Sequence, residues 1–542
     1  MTRRSARPEL LLGAGALVSR ILGFAKALLL VMCIGGTTAA PGGQIFDVAN
    51  TLPTALYALI AGGALSSILV PEIAGALRRE GVASGDSREH VSQIVSLTTY
   101  LALALTAFML VLAPVLVNAY ASAWPDSWLR LGAAMALWCI PQVFFLVQYG
   151  TLSQILLAHG RFGYVAWAPA LSNAVVICTL FAFLTLVPSG LVGVEEWTPT
   201  MVGILCGGAT LGAVAQFALI GAPVAALGYR LRLRLRLRRL AHVGIGVVWG
   251  FLGVACWQGS YVVVSNVASA AGAALTIEGV DGASLNSLSA AYLLFLVPHG
   301  VMALSLITAS YSRISLSLAT GDVYRGWADA CRTARRVVFV SAFFTALFIA
   351  IGPAIGATVW GAQPIGEVLQ ALGWGLAPFS LTVLIQRLFY AVGAVRAPVV
   401  VQSVVALLTV VGTLLVGAWI SADHVVVGIA AVTSLATWAG LIVALVLLHR
   451  SPAFRDSVTA SGRPAIAGAL RATAVAIGAG VCARVAWDHL PRSGMTGPVE
   501  AVMHLVGATA CALIVFFAIG ILVRDSTASE AWRLCHSRRG AR

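Results

Sequence analysis

Arg20 and Lys26 define the chemistry open to this chain. Lys26 is the only lysine in 542 residues, and both cations lie in the apolar run from Leu10 to Ile34. A cation near the centre of a bilayer costs about 2.5 to 3.5 kcal/mol on insertion scales, so two in one segment point to an anionic ligand or a water-filled cavity. The competing reading is that both snorkel to the interfaces along their alkyl stems. Lys26, about 12 Å of helical rise from the outer end of the run, has that option in part, whereas Arg20 sits near mid-span. Neutralising an anion inside a low-dielectric layer is transport chemistry.

The elements that must position these cations are membrane helices. With 59% hydrophobic residues, 10% charged residues and 55 glycines, the chain reads as an all-α polytopic membrane protein. Fourteen apolar segments are long enough to span, at about 20 residues each. They run over 9–34, 46–76, 92–118, 129–157, 163–187, 199–228, 243–272, 286–312, 334–360, 366–393, 397–420, 425–448, 464–487 and 499–523. The first reads as a retained span rather than a signal peptide, being longer than such a peptide's apolar core. The nine cysteines are odd in number, form no CxxC pair and lie mostly within spans, which suits packing rather than disulfides or metal ligation.

The intervening loops alternate in charge. One set carries clusters such as Arg78 and Arg79, the run Arg230 to Arg239, Arg332 with Arg335 and Arg336, and Arg450 with Arg455. The other holds Asp126, Glu195, Glu196, Glu278, Asp281, Glu367 and Asp423, with Arg492 its one clear exception. The bias of Lys and Arg toward the cytoplasm then puts both termini inside. This asymmetry accounts for the net charge of +14 without nucleic-acid binding. Arg230, Arg232, Arg234, Arg236, Arg238 and Arg239 alternate with leucine, so an extended strand would present arginine on one face and leucine on the other, as suits an interface with anionic lipid.

The two halves echo each other. Leu152-Ser-Gln154 leads through Ala158 and Gly160 to Arg161, and Leu384-Ile-Gln386 leads through Ala391 and Gly393 to Arg396; Leu52-Pro53 likewise parallels Val297-Pro298. Both members of each pair share an orientation, so the expectation is a parallel repeat of two six-helix lobes plus two C-terminal helices. The divisions fall at 1–240 for the first lobe with its basic loop, 241–450 for the second, and 451–542 for the last two helices and tail.

Particular residues then become recognisable. Ser19-Arg-Ile-Leu-Gly-Phe-Ala-Lys26 resembles the first-helix signature of the MurJ (MviN) lipid II flippases, of the multidrug, oligosaccharidyl-lipid and polysaccharide exporter superfamily. Phe46-Asp-Val-Ala-Asn-Thr-Leu-Pro53 and Leu56 to Ser66 are similar to that family's second helix in its actinobacterial form. Gly160-Arg-Phe162, Pro169, Asn173, Pro298-His-Gly300 and Gln386 to Ala391 add support. The resemblance implies a bacterial cytoplasmic-membrane transporter rather than an enzyme, monomeric, with no cofactor or metal. Its substrate would be lipid II, undecaprenyl-diphosphate-linked disaccharide pentapeptide, and cell-wall synthesis or division proteins would be its partners.

Arg20 matches the family's first essential arginine, and Lys26 stands where the second would be, a point charge in place of a planar fork. These are the expected diphosphate ligands. Ser19, Gly23, Asp47, Asn50 and Tyr57 are expected to line or gate the cavity, with a bend near Gly23 bringing Arg20 and Lys26 together. Asp47 is either a counter-ion for Lys26 or a helix-start residue. The chain departs from the family pattern at Tyr57 and Leu293, where arginines are expected, and at Gln44, where an aspartate is expected. Spans seven and eleven lack the carboxylates that would carry over a sodium site, and membrane potential can drive alternating access with or without a coupling ion. The rivals are an exporter of another polyprenyl-linked glycan or a drug, and a non-transporting scaffold.

Overall fold

The computed structural model describes residues 6–60, 85–187, 193–229, 245–490 and 498–523. The basic run with Arg230, Arg232, Arg234, Arg236, Arg238 and Arg239 lies outside the described residues, as does the second-span stretch beyond Ile60. Each of the fourteen expected segments coincides, over its described residues, with a helix or a broken helix. Eleven helices among the described residues are long and apolar enough to cross a membrane, and a bent pair makes twelve. The other two expected spans are helical but more polar: α2 (Pro41–Ile60) carries Gln44, Asp47 and Asn50, and the helix Arg455–His489 carries Arg463, Arg471, Arg484 and Asp488.

Two compact units divide the chain, Met1–Asn286 and Ser287–Arg542. In the first, α1 (Ala6–Ile34) packs along α6 (Phe162–Leu186), which packs on α7 (Pro199–Ala226). α2 lies against α4 (Asp126–Cys139), α5 (Gln142–Ala158) and α8 (Ile245–Glu278), while α3 (Gly85–Tyr120) packs on α4, α5 and α8. The seventh expected span, α8, thus belongs to the first compact unit.

A polar buckle closes one end of this unit. Thr38 Oγ1 donates to the Val280 carbonyl at 2.8 Å and accepts from the Gly282 amide at 2.7 Å, while Thr276 donates to the Thr38 carbonyl at 3.0 Å. Thr37 and Ala283 form an antiparallel bridge, and Asn286 donates to the Gly35 carbonyl. Chain leaving a helix must satisfy its own freed backbone groups, and here the α1–α2 connection and the chain that follows α8 satisfy each other.

The second unit holds α9 (Leu285–Pro298, whose first two residues fall in the first unit), α10 (Leu304–Ala319), α11 (Val323–Trp360), α12 (Gln363–Gly373), α13 (Leu376–Ala391), α14 (Arg396–Trp419), α15 (Ala422–Arg450), α16 (Arg455–His489) and α17 (Pro498–Leu522). α11 is its axis, packed on α10, α12, α13, α16 and α17. A π-helical turn, His299–Ala303, joins α9 to α10, and buried His299 hydrogen-bonds Ser380 at 3.0 Å.

Within a membrane, a helix can be interrupted only where other groups take up the freed carbonyls. Proline supplies no N–H, so the carbonyl four residues before it needs another donor. Pro353 in α11 frees Ile349, whose carbonyl accepts from Gln370 of α12 at 2.6 Å, and the chain kinks at Ile351. Pro169 in α6 frees Val165, whose carbonyl accepts from Tyr149 at 3.4 Å. Where α12 meets α13 at a 50° bend, Ser434 of α15 donates to the Ala371 and Leu372 carbonyls at 2.8 and 3.1 Å. Trp438 donates to the Trp374 carbonyl and Thr345 to that of Gly373. At the α4–α5 junction, Thr210 of α7 donates to the Trp138 carbonyl at 2.6 Å.

Candidate functional site

The site expected on α1 begins with a packing seam. Gly15, Ser19 and Gly23 recur every four residues and form one stripe, the small-xxx-small pattern that lets membrane helices approach closely. Gly15 faces Ala166: a Cβ added to it would lie 2.6 Å from the Ala166 carbonyl oxygen. Gly23 faces Asn173, whose side-chain amide donates to the Ser19 carbonyl at 2.9 Å and approaches Ser19 Oγ at 3.5 Å. Cys33 Sγ lies 3.7 Å from the Leu180 carbonyl. The pairings 15–166, 19–173 and 33–180 advance together, so α1 and α6 run parallel.

This seam fixes the two cations. At 100° per residue, Lys26 falls about 20° around the helix from Gly15, within the stripe, and Arg20 about 140° away. Lys26 is accordingly half-buried and Arg20 exposed. The expected bend near Gly23 is absent: α1 runs unbroken from Ala6 to Ile34, because Gly23 is used for close approach to Asn173 rather than for unwinding. The two cations therefore keep their separation of about 120° around the axis.

Lys26 makes no ion pair or hydrogen bond with the described residues, so the expected pairing with Asp47 is not formed. The alternative helix-start role for Asp47 also fails, since α2 begins at Pro41 and its first turn holds no acidic residue. Asp47 is half-buried and engaged in its own polar contact. Asn50 accepts from Gln142 of α5 at 3.1 Å. Tyr57 is half-buried and neighbours Tyr149, which also has Gln216 beside it. The structure thus joins Ser19 and Gly23 through Asn173 in one group, and sets Asn50 and Tyr57 against α5 in another. Gln44 is fully buried, and neither of its amide atoms has a hydrogen-bond partner among the described residues; it fills the space left by Gly272 of α8.

Asn173, Gln142 and Tyr149 were not assigned positioning roles from sequence. The four-residue spacing of Gly15, Ser19 and Gly23 was the available signal for the seam. Among the described residues, no group of three or more His, Cys, Asp or Glu side chains stands close enough to hold a metal ion.

The chain that carries Arg20 and Lys26 in one apolar helix resembles several known proteins. It is 27% identical over 175 residues to the probable lipid II flippase MurJ of Haemophilus influenzae, a stretch that is 30% of this chain and 33% of that relative. The match thus spans about a third of the curated relative's length. Among solved structures, a lipid II flippase MurJ in an inward closed conformation superposes with a TM-score of 0.73 at 17% identity, covering 95% of this chain and 99% of the other. An inward-facing multidrug resistance MATE transporter of the MOP superfamily gives a TM-score of 0.59 at 14% identity, covering 79% and 94%. These similarities establish a shared fold. The family model described as lipid II flippase MurJ matches residues 34–528, and the chain belongs to that family.

Proposed function

We propose that this protein translocates lipid II from the inner to the outer leaflet of the bacterial cytoplasmic membrane by alternating access, with both termini inside. The observation that carries the reading is Lys26, half-buried in the α1–α6 seam without a carboxylate partner among the described residues. A diphosphate crossing a low-dielectric layer needs fixed positive charge and hydrogen-bond donors in place of its water. Lys26 supplies a point charge, and Arg20, on the exposed side of the same helix, a fork with five donors. The two bind in sequence or from two sides, because the helix does not bend to bring them together.

Membrane potential supplies the drive in this reading. With the cytoplasm negative, outward movement of the anionic head is favoured by about 2.3 kcal/mol per charge per 100 mV across the full field, and inward return of the empty cations is favoured too. The recurrence of one device supports a parallel repeat: a broken fourth span capped by a hydroxyl from the sixth, and a broken tenth capped by a hydroxyl from the twelfth. Fourteen spans, grouped as two lobes of six plus a final pair, is the arrangement we propose. The cations weigh against export of a cationic drug. Rescue of a flippase-depleted strain by the wild-type chain, with failure of well-expressed Arg20→Ala and Lys26→Ala, tests the assignment; growth supported by Lys26→Ala would remove it.

A further inference from the structure

A second cation stands in the second unit, in a setting the α1 site does not explain. Arg387, one turn before the end of α13, is half-buried. Its Nη1 donates to Thr308 Oγ1 of α10 at 3.2 Å, and its guanidinium carbon lies 5.5 Å over the ring of Tyr311. No carboxylate pairs with it among the described residues. Two contacts from one helix therefore hold the fork in place while leaving most of its donors available.

The helix that holds it is two-faced. α10 buries Ile307, Ser310 and Ile314, and exposes Ser305, Thr308 and Ser312. Its other exposed positions include Leu316 and also Arg313, which lies about 140° around the helix from Thr308. A row of hydroxyls beside an uncancelled arginine would be costly against lipid tails, so the strip suits a water-filled surface. A structural arginine in this environment would be matched by a carboxylate; here the partners are a neutral hydroxyl and an aromatic face, both of which leave its charge uncancelled.

We propose that Arg387, steadied by Thr308 and Tyr311, with Ser312 one turn along α10 from Thr308, is a second diphosphate-binding site, which receives the head of the polyprenyl-linked substrate at the cytoplasmic end of the second unit. This rests on the flippase reading and adds a place of first contact to it. The fork geometry suits bidentate contact with phosphate oxygens, and α10 hydroxyls serve the remaining ones.

The test uses the full chain in phosphatidylcholine nanodiscs, with Lys26→Ala as background so that the α1 site does not contribute, and farnesyl diphosphate as probe. Arg387→Gln should weaken binding at least tenfold, the loss of one charge-assisted hydrogen bond of about 1.5 kcal/mol or more. Arg387→Lys should recover part of it, and the thermal midpoint of the ligand-free protein should stay unchanged. Equal binding by Arg387→Gln and its background overturns the site while leaving the flippase reading intact. A fall in the ligand-free midpoint that matches the loss of binding assigns Arg387 to helix packing instead. Full displacement of the probe by an equal concentration of phosphatidylglycerol makes it an anionic-lipid site and also overturns the proposal. If the chain with Lys26 and Arg387 both intact binds no farnesyl diphosphate and moves no lipid II, the flippase reading fails with it.

Discussion

The α4–α5 junction and the α12–α13 junction interrupt a span in the same way but to different extents. In the first, Ile140 and Pro141 keep helical dihedrals, residues 126–158 act as a single span, and one hydroxyl, from Thr210, reaches a carbonyl there. In the second the axis turns by 50°, and Ser434, Trp438 and Thr345 together take up four carbonyls. The difference shows what a bend costs inside a membrane. Loss of one amide at Pro141 leaves the helical path intact, whereas turning the chain frees several carbonyls that neighbouring helices must serve.

Substitutions should separate the two junctions. Gly375→Val should have the largest effect, because a side chain there would begin 3.0 Å from both Ser434 Oγ and Thr437 Oγ1. We expect a loss of about 1–3 kcal/mol, read by detergent-denaturant titration. Ser434→Ala should cost about 1–2 kcal/mol by taking the hydroxyl donor from the Ala371 carbonyl, while the Leu372 carbonyl keeps the Gly375 amide at 2.9 Å. Thr210→Val should cost least, about 0.6 kcal/mol, as is usual for a single hydrogen bond between membrane helices. Equal losses for Ser434→Ala and Thr210→Val would mean that the bend, rather than its caps, is what the second unit depends on.

Topology sharpens the same comparison. If the repeat is parallel, the loops that lead into α4 and α12 lie on one side of the membrane. In an active cysteine-free background, cysteines placed at Ala123 and Gln363 should both react with an impermeant thiol reagent on intact cells, and one at Asp322 should not. Opposite labelling of Ala123 and Gln363 would remove the parallel repeat, and labelling of Asp322 alone would invert the chain and reverse the sign of the voltage argument.

Apolarity and length made the helices legible, and every expected segment meets one over its described residues. Local pattern was less informative about how they are interrupted. Gly373-Trp-Gly375 reads as an apolar stretch like its neighbours, and its 50° turn depends on Ser434 and Trp438, about sixty residues away. The buckle built on Thr38 joins residues more than 240 apart, beyond any periodicity. On α1 the residue types carry the expectation of a site, and the geometry of the helix differs from the one expected. Gly23 was expected to bend the helix because glycine permits unwinding, whereas its register with Gly15 and Ser19 places it in a packing stripe instead. That same register puts Lys26 in the seam and Arg20 outside it, and would have been visible in a helical projection of residues 15–26. The clustering of α8 with the first unit, rather than with the half that follows the basic loop, depends on its packing against α2 and α3.

The central claim is that fixed charge in the α1 seam carries a diphosphate across the membrane under an electrical drive. Headgroup translocation of lipid II in oriented proteoliposomes, with sodium absent and pH equal on both sides, tests it most directly. Wild type should accelerate when the cytoplasmic face is made negative, Lys26→Ala should lose nearly all translocation while remaining folded, and Lys26→Arg should keep a substantial part. Normal translocation by folded Lys26→Ala would contradict the account.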